Sequence, residues 1–310
     1  MGSGTDTVVL HPVHSPGFPE ALGELPDLEV VVPINSDGVV DELEEGRSIL
    51  LTFLWDDRFL TGSLRWIQAI SAGMDQFPLE PIRERGITLT SARGAHTPAV
   101  AEHAVALLLA LVRGVGMSVR GHHDRVWAPR PAHEVGGRTL GVLGLGSIGE
   151  AVARRAAALG MRVIGTKQHP GDYRGAAERV LGPDGTLEVC READAVVVAL
   201  PSSPETSRIV GREELAALEG GWLVNVGRGS VVDEEALIAA LQSGTLLGAG
   251  LDVFEVEPLP PDSPLWDLPN VVITPHSAWS SDLLPRRLVE VFSLNRTAFH
   301  GQAEWATRVV

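Results

Sequence analysis

The chain has 310 residues, a length typical of about two domains that each bury a core of their own. Its 40 acidic and 25 basic residues give a formal net charge of −15, which argues against a general surface for nucleic acid or anionic membranes but allows a local basic pocket for a small anion. The N-terminus lacks the basic and apolar regions of a secretory signal, and the longest apolar run, residues 104–112, is about half of a membrane crossing, so we expect a cytoplasmic protein.

The first part of the chain alternates short apolar strands with helices. Their spacing is typical of βα units, and strands are predicted at residues 7–10, 28–32, 49–54, 66–70 and 87–90. Thr97 and Pro98 then have the residue types of a helix N-cap and first helical position. The predicted helix carries an apolar stripe formed by Val100, Ala104, Leu108, Leu111 and Val115.

The second part has longer and more uniformly apolar strands. Such runs are expected of parallel strands covered on both faces, and they lie at residues 139–145, 162–166, 195–200, 222–226, 248–253 and 271–274. A helix with Asp233 as N-cap and Gly244 after its end separates the fourth from the fifth. Six strands with intervening helices predict a doubly wound dinucleotide-binding fold, followed by one more helix within residues 284–310.

A glycine-rich turn follows the first of these strands and opens a helix. It reads Gly144-Leu145-Gly146-Ser147-Ile148-Gly149. In this pattern the first glycine makes the tight turn, the second lets a pyrophosphate approach the backbone, and the third lets helix and strand pack closely. The helix N-terminus then offers free N–H groups to the phosphates. The motif alone is weak evidence, but the strand before it and the helix and strand after it make dinucleotide binding the favoured interpretation over a structural turn.

Lys167, the only lysine in the chain, follows the second of these strands. An acidic residue usually accepts the ribose hydroxyls of NAD here, but the run Lys167-Gln168-His169 has no carboxylate. A cation at Lys167, with Arg174 nearby, suits the 2′-phosphate of NADP, and the alternative is a solvated loop lysine. We therefore expect NADP or NAD as cofactor, with NADP favoured.

Polar residues follow three successive strands at the carboxyl ends, where ligands bind in open α/β sheets. Hydride transfer at the α-carbon of an acid needs a cation for the carboxylate, a proton donor, and a carboxylate that keeps the donor charged. Arg228, His276 and Glu257 supply these groups in turn. Each alone has an ordinary explanation, as a surface ion pair, a core histidine or a solvated loop charge. Together, after a dinucleotide turn, they favour catalysis.

These motifs resemble the D-isomer-specific 2-hydroxyacid dehydrogenase family. The resemblance covers roughly residues 48–300 and rests on the glycine turn, residues 225–229, 251–260 and 274–278, with weaker matches at Val100-Ala101-Glu102-His103-Ala104 and Ser71-Ala72-Gly73-Met74-Asp75. It implies a Rossmann cofactor domain, residues 98–283, and a discontinuous flavodoxin-like α/β substrate domain, residues 1–97 and 284–310. It also implies a homodimer, no metal, and a small 2-oxo or 2-hydroxy acid as partner.

The resemblance assigns further residues to substrate and cofactor. The backbone N–H groups of Ala72 and Gly73 would bind the substrate carboxylate beside Arg228, with His276 as acid/base and Glu257 as its partner. Asp252 would contact the nicotinamide amide. The remaining cofactor contacts would come from the glycine turn and from the ends of two strands, at Leu200, Pro201, Thr206, Val226 and Gly227.

Two positions depart from the family pattern, and one residue type is scarce. Lys167 replaces the acidic ribose-binding residue, and Trp279 stands where many members carry a small residue. Trp279 either covers the substrate pocket, favouring a larger side chain, or packs at a domain or dimer contact. Cys190 is the only cysteine, which excludes an intrachain disulfide and is interpreted as a small buried hydrophobe.

Three functional classes stay open at this stage. The favoured one is a reductase of the glyoxylate/hydroxypyruvate or phosphoglycerate-dehydrogenase type. The second is a cofactor-gated corepressor-type scaffold of the same fold, which the intact set of Arg228, Glu257 and His276 disfavours. The third is a formate or phosphonate dehydrogenase, which shares the cofactor domain.

Overall fold

The computed structural model describes residues 5–129 and 132–310. The chain divides into two compact units: unit 1 is Met1–His96 with Ser281–Val310, and unit 2 is Thr97–Ser280. The strands, in chain order, are β1 (Asp6–Leu10), β2 (Leu28–Val31), β3 (Ile49–Thr52), β4 (Trp66–Ala69), β5 (Thr88–Thr90), β6 (Thr139–Leu143), β7 (Arg162–Thr166), β8 (Arg179–Leu181), β9 (Ala195–Val198), β10 (Trp222–Asn225), β11 (Gly248–Leu251) and β12 (Val271–Ile273).

Helices connect these strands in both units. The α-helices are α1 (Phe18–Gly23), α2 (Ser36–Glu44), α3 (Leu79–Glu84), α4 (Thr97–Val112), α5 (Val115–His123), α6 (Ser147–Ala158), α7 (Thr186–Glu192), α8 (Arg212–Ala217), α9 (Glu234–Ser243) and α10 (Leu284–Phe299). Short 3-10 helices are Asp57–Phe59, Pro170–Asp172, Pro183–Gly185, Gly229–Val231 and Pro264–Trp266.

Unit 1 is a parallel sheet in the order β2-β1-β3-β4-β5, which is the strand order of the flavodoxin-like class that the resemblance implied. Its core centres on Trp66, whose ring stacks on Phe292 of α10 at a centroid distance of 5.2 Å. The indole N–H of Trp66 donates to the hydroxyl of Thr90 on the neighbouring strand, at 2.9 Å. A buried tryptophan with a satisfied N–H stabilises the packing of α10 against the sheet.

Unit 2 is a parallel sheet in the order β12-β11-β10-β9-β6-β7-β8. The first strand of the unit, β6, lies between β7 and β9, so the strand order reverses there and creates the crevice where doubly wound sheets bind ligands. The sheet core consists of aliphatic side chains on both faces, which confirms the prediction of buried parallel strands. The fold class is therefore a Rossmann sheet with a second α/β unit.

The observed elements differ from the predicted ones in three places. Strand β8 was not predicted, because it is an edge strand of three half-buried residues, Arg179–Leu181, and lacks the continuous apolar run of the other strands. Val115 was placed on the stripe of the preceding helix, and this was wrong: Gly114 adopts a left-handed conformation, ends α4 and starts α5 at Val115. Several predicted strands end earlier, because their last residues form the loops that carry the site. The caps at Asp233 and Gly244 are confirmed.

The apolar helix α4 belongs to the core of unit 2. Its buried residues pack against α6 and the sheet, and they are Val100, Ala101, Ala104, Leu107, Leu108 and Val112. Within the two described ranges, no single helix has the length and apolarity to cross a membrane, and only α4 and α5 taken together, with a bend of 72° between them, pass that test on length and composition.

Candidate active site

The glycine turn has the geometry that a dinucleotide requires. Gly144 has φ +96°, and a side-chain carbon there would lie 2.9 Å from the carbonyl oxygen of Ala199. A side chain at Gly149 would lie 2.1 Å from the carbonyl oxygen of Gly144, so only glycine allows α6 to start this close to the turn. The space above Gly146 is open for 4 Å. The turn is therefore a cradle that side chains would fill.

The start of α6 presents donors into that cradle. Gly146 is the N-cap and has no side chain to cap the helix, and no described residue accepts a hydrogen bond from the N–H of Ser147 or Ile148. Unsatisfied N–H groups at a helix N-terminus bind phosphate oxygens. These residues therefore fit the pyrophosphate of a dinucleotide.

The ends of β9 and β10 lie beside the turn. Gly227 is packed so closely that a side chain would lie 2.5 Å from the carbonyl oxygen of Leu200. After Leu200, the hydroxyl of Thr206 donates to the carbonyl of Pro201 at 2.7 Å and closes the loop. Val226 is buried at the end of β10. The structure thus brings the predicted cofactor residues on these two strands to the same edge as Gly144.

Lys167 follows β7 and points back to the glycine turn. Its ammonium nitrogen donates to the carbonyl oxygen of Leu145 at 2.8 Å, and the side chain is half-buried. The exposed guanidinium of Arg174 donates to the carbonyl of Tyr173 at 2.7 Å. Lys167 is therefore held next to the phosphate-binding turn, not on a distant solvated loop.

Arg228 is held by a turn that depends on Asn225. The side-chain oxygen of Asn225 accepts from the N–H of Gly227 at 3.0 Å, and its amide group donates to the carbonyl of Arg228 at 3.1 Å. Asn225 is fully buried, so these bonds fix the turn. The next residue, Gly229, contacts the loop after β11 so tightly that a side-chain carbon would lie 1.8 Å from the carbonyl carbon of Phe254.

His276 and Glu257 meet after the next two strands. The Nδ1 atom of His276 lies 2.7 Å from Oε2 of Glu257, while Oε1 accepts from the N–H of Phe254 at 3.0 Å. The imidazole side chain is 44% exposed and the carboxylate 34%. With Nδ1 engaged, Nε2 is the ring atom left to face a substrate, and no described residue bonds to it. A carboxylate in this position orients the imidazole.

The backbone of His276 is as constrained as its ring. Its φ is +48°, a left-handed conformation that costs a non-glycine residue about 1–2 kcal/mol. Its N–H donates to the carbonyl of Asp252 at 2.8 Å, and its carbonyl accepts from the indole N–H of Trp279 at 2.8 Å. Trp279 therefore contacts the turn of His276 directly, an arrangement that neither sequence interpretation of this residue included.

Asp252 organises the residues around His276. It is 1% exposed, its Oδ1 accepts from the N–H of Ser277 at 2.9 Å, and its Oδ2 accepts from the N–H of Ala278 at 3.0 Å. Oδ1 also accepts from the hydroxyl of Thr274 at 2.6 Å. The expected contact between Asp252 and the nicotinamide amide stays a prediction.

In unit 1, the turn after β4 presents two free donors. No described residue accepts from the N–H of Ala72 or Gly73. The hydroxyl of Ser71 donates to the carbonyl of Gly73 at 2.8 Å and accepts from the side-chain amide of Gln76 at 3.0 Å. The turn is thus shaped for an anion such as a carboxylate.

Two features of the site were missed from the sequence. The Asn225 turn was detectable, because an asparagine two residues before a glycine is typical of a side-chain-closed turn. The hydrogen bond from His103 to Thr274 was not, because it joins residues 171 positions apart. Among the described residues, no group of three or more His, Cys, Asp or Glu side chains is arranged to hold a metal ion.

Comparison with known proteins gives a consistent result. The sequence profile of the NAD-binding domain of D-isomer specific 2-hydroxyacid dehydrogenases matches residues 105–278. A glyoxylate reductase of Korarchaeum cryptofilum is 40% identical over 245 residues, which are 76% of this chain and 73% of the relative. Glyoxylate/hydroxypyruvate reductase B of Yersinia pestis is 38% identical over 271 residues, 83% of this chain and 76% of the relative.

Solved structures extend the similarity to nearly the whole chain. The NADPH-dependent glyoxylate/hydroxypyruvate reductase of Sinorhizobium meliloti, solved with citrate, aligns with a TM-score of 0.85 at 30% identity and covers 98% of both chains. The same enzyme solved with NADP and malonate aligns with a TM-score of 0.82 at 29% identity, covering 99% of this chain and 97% of that one.

Proposed function

The chain belongs to the D-isomer specific 2-hydroxyacid dehydrogenase family, and from this we propose that Arg228, Glu257 and His276 are the catalytic residues of an NAD(P)H-dependent reductase of small 2-oxo acids. The relatives act on glyoxylate and hydroxypyruvate, so these are the substrates to expect first. The similarity to these reductases favours a reductase over the corepressor-type scaffold and over a formate or phosphonate dehydrogenase.

One observation carries the proposal: the 2.7 Å contact between His276 and Glu257 at the ligand-binding edge of the cofactor sheet. A dinucleotide-binding protein without redox chemistry has no need of an oriented imidazole in this place. His276 also adopts a strained backbone conformation, and strain of this kind clusters at functional sites.

Each of these residues has a separate role in the proposed reaction. When bound, the nicotinamide supplies the hydride. His276 gives a proton from Nε2 to the carbonyl oxygen of the substrate, and Glu257 stabilises the imidazolium before that transfer. Arg228 polarises the carbonyl and orients the acid, and the N–H groups of Ala72 and Gly73 bind its carboxylate. Unit 1 would accordingly be the substrate domain.

Substitution of His276 and of Arg228 tests the assignment. His276→Ala and Arg228→Ala should each lower kcat/KM for glyoxylate and hydroxypyruvate by at least about a hundredfold. Matched controls are His123→Ala and Arg191→Ala, which remove exposed side chains of the same types from unit 2. Wild-type rates in either catalytic variant would remove the assignment, and the scaffold interpretation would then predict cofactor binding without turnover.

We further propose that NADP(H) is preferred over NAD(H). The support is the half-buried ammonium of Lys167 beside the glycine turn and the lack of a carboxylate in the three residues after β7, Lys167-Gln168-His169. A hydrogen bond between an ammonium and a phosphate contributes about 1.5–3 kcal/mol to the free energy of binding, so its loss lowers the affinity for NADP(H) by roughly ten- to a hundredfold.

Lys167→Ala tests the preference, with NADH as an internal control. We expect kcat/KM with NADPH to fall by about tenfold or more, while kcat/KM with NADH changes little. An equal fall with both cofactors would mean that Lys167 only supports the turn through Leu145. A clear preference for NADH, unchanged in Lys167→Ala, would contradict the proposal.

We also propose a cytoplasmic homodimer. Unit 2 exposes apolar side chains on and after α5, with Val119 63% and Trp127 fully exposed. Such groups are typical of contact surfaces. Light scattering of the purified protein should give twice the chain mass, and Trp127→Ser should shift the mass toward the monomer.

A further inference from the structure

One polar side chain of helix α4, that of His103, contacts the loop that carries His276. Most of α4 is buried and apolar, but the Nε2 atom of His103 lies 2.9 Å from the hydroxyl oxygen of Thr274 and 3.6 Å from Oδ1 of Asp252. The His103 side chain is only 24% exposed, and the Asp252 side chain 2%. A polar contact this sheltered from water is a strong constraint on both partners.

The direction of each hydrogen bond follows from the number of protons. Thr274 has one hydroxyl hydrogen, and Asp252, a carboxylate, can only accept, so this hydrogen goes to Oδ1 at 2.6 Å. The hydroxyl oxygen must then accept from His103, which fixes the ring nitrogen Nε2 as an N–H donor. The bonds therefore run in one direction, from His103 through Thr274 to Asp252.

The carboxylate at the end of this chain of bonds holds the catalytic turn. Oδ1 and Oδ2 accept from the N–H groups of Ser277 and Ala278, the two residues after His276. The carbonyl of Asp252 accepts from the N–H of His276 itself. His276 thus lies between the residue that receives the bond from His103 and the two residues that Asp252 anchors.

We propose that His103 is a positioning residue of the reaction. By donating to Thr274, it keeps the threonine hydroxyl turned toward Asp252 and thereby holds the turn in which His276 adopts φ +48° and reaches Glu257. The inference rests on the catalytic role proposed for His276. It assigns a function to His103 within the segment Val100-Ala101-Glu102-His103-Ala104.

The test removes the donor and then restores it. His103→Leu should lower kcat by about tenfold, because a small displacement of an acid/base group is costly, with KM for glyoxylate changed by less than about twofold. His103→Gln places an amide donor at a similar reach and should recover kcat to within about threefold of wild type. Rates are expressed per cofactor-binding site, titrated by tryptophan fluorescence with NADPH, so that partly unfolded protein does not count.

A second variant covers the case in which His103→Leu does not fold. Thr274→Val keeps the side-chain shape, removes the hydroxyl and should lower kcat by a similar factor. In the double variant the two effects should not add, because both break the same chain of bonds. The matched control is Glu102→Gln on the adjacent, exposed position of α4, whose carboxylate pairs with Arg155, and it should leave kcat unchanged.

The outcomes separate this inference from the proposed function. If His276→Ala is inactive while His103→Leu and Thr274→Val keep kcat per site within twofold of wild type, the positioning role is wrong and the catalytic assignment stands. If kcat falls but His103→Gln does not restore it, packing of the ring and not its hydrogen bond is responsible, and the inference is again wrong. If His276→Ala turns over normally, the proposed function itself fails.

Discussion

The indole N–H of Trp279 donates a hydrogen bond to the main-chain carbonyl of His276, with a nitrogen–oxygen distance of 2.8 Å. Together with the bond from the His276 N–H to Asp252, it fixes the peptide groups on both sides of His276. Because the left-handed conformation of His276 is intrinsically unfavourable, each such bond helps to keep the imidazole in place.

Trp279→Phe should therefore lower kcat by about three- to tenfold with little change in KM for glyoxylate. An aromatic ring remains, and the donated bond, worth about 0.5–1.5 kcal/mol, is lost. Trp266→Phe is the matched control, because the indole N–H of Trp266 also donates to a carbonyl, that of Pro260, at 2.9 Å. The two side chains are similarly exposed, Trp266 at 46% and Trp279 at 41%. A rise in KM with unchanged kcat would instead support Trp279 as a cover of the substrate pocket.

The sequence was sufficient to predict those features of the fold that depend on contacts between nearby residues. Gly149 is required by its contact with Gly144, and Gly144 by its positive φ, so the glycine spacing, together with the strand before it and the helix after it, predicted the turn. Asp233 and Gly244 cap α9 through bonds to near neighbours. The position of Arg228, Glu257 and His276 after successive strands also followed, because parallel strands place their carboxyl ends at one edge.

The remaining features depend on packing between distant segments. His103 reaches Thr274 only because α4 lies against β12, and no periodicity in either segment specifies that contact. The strand β8 is three residues long and gains its stability from pairing with β7, a tertiary effect that a short sequence window does not contain. Trp279 was recognised as unusual, but its partner is a backbone atom, which leaves no signature in the sequence.

Gly229→Ala should disrupt the site through steric overlap. The added carbon would lie 1.8 Å from the carbonyl carbon of Phe254 and would force the turn of Arg228 away from the loop that carries Glu257. Overpacking of this kind costs about 1–3 kcal/mol, so we expect a lower urea midpoint and a kcat/KM reduced by at least about tenfold.

Gly182→Ala is the control for that substitution. Gly182 has φ −68°, and no atom lies within 4 Å of a side chain built there. An alanine should be neutral or stabilise by about 0.4–1 kcal/mol through the unfolded state. Equal stability and activity in Gly229→Ala and Gly182→Ala would contradict the close contact between the two loops.

Cys190 should be chemically silent in the native protein. Its side chain is 1% exposed, and burial, reinforced by the negative charge of Glu214, raises the pKa of the thiol to about 12. At pH 8 about one thiol in ten thousand would be ionised, and the thiolate is the reactive form. N-ethylmaleimide should therefore add no mass to the folded protein and one label in urea, as measured by mass spectrometry. Rapid labelling of the fully active enzyme would show that α7 opens to solvent.

Unit 1 should owe part of its acid sensitivity to Asp6. Burial by itself would raise the pKa of the Asp6 carboxyl, but hydrogen bonds from His300 and Arg296 outweigh it, and the net pKa lies below the usual 3.8. The Nε atom of Arg296 lies 2.6 Å and Nε2 of His300 2.8 Å from the same carboxylate oxygen, Oδ2. Since α10 carries Arg296, this cluster ties the last helix to the first strand.

The sign of the effect follows from linkage. A carboxyl whose folded pKa is depressed contributes stability that is complete above its unfolded pKa and is lost as pH falls through the folded value. Asp6→Asn should therefore lower the urea midpoint at pH 7 and begin to converge with wild type as the pH falls below the usual carboxyl pKa of 3.8. Glu24→Gln, at an exposed acid of the same unit, should match wild type throughout. If the difference between Asp6→Asn and wild type stayed constant from pH 7 to pH 3, the charge of Asp6 would not stabilise the fold. Any effect of the substitution would then come from the changed side chain alone.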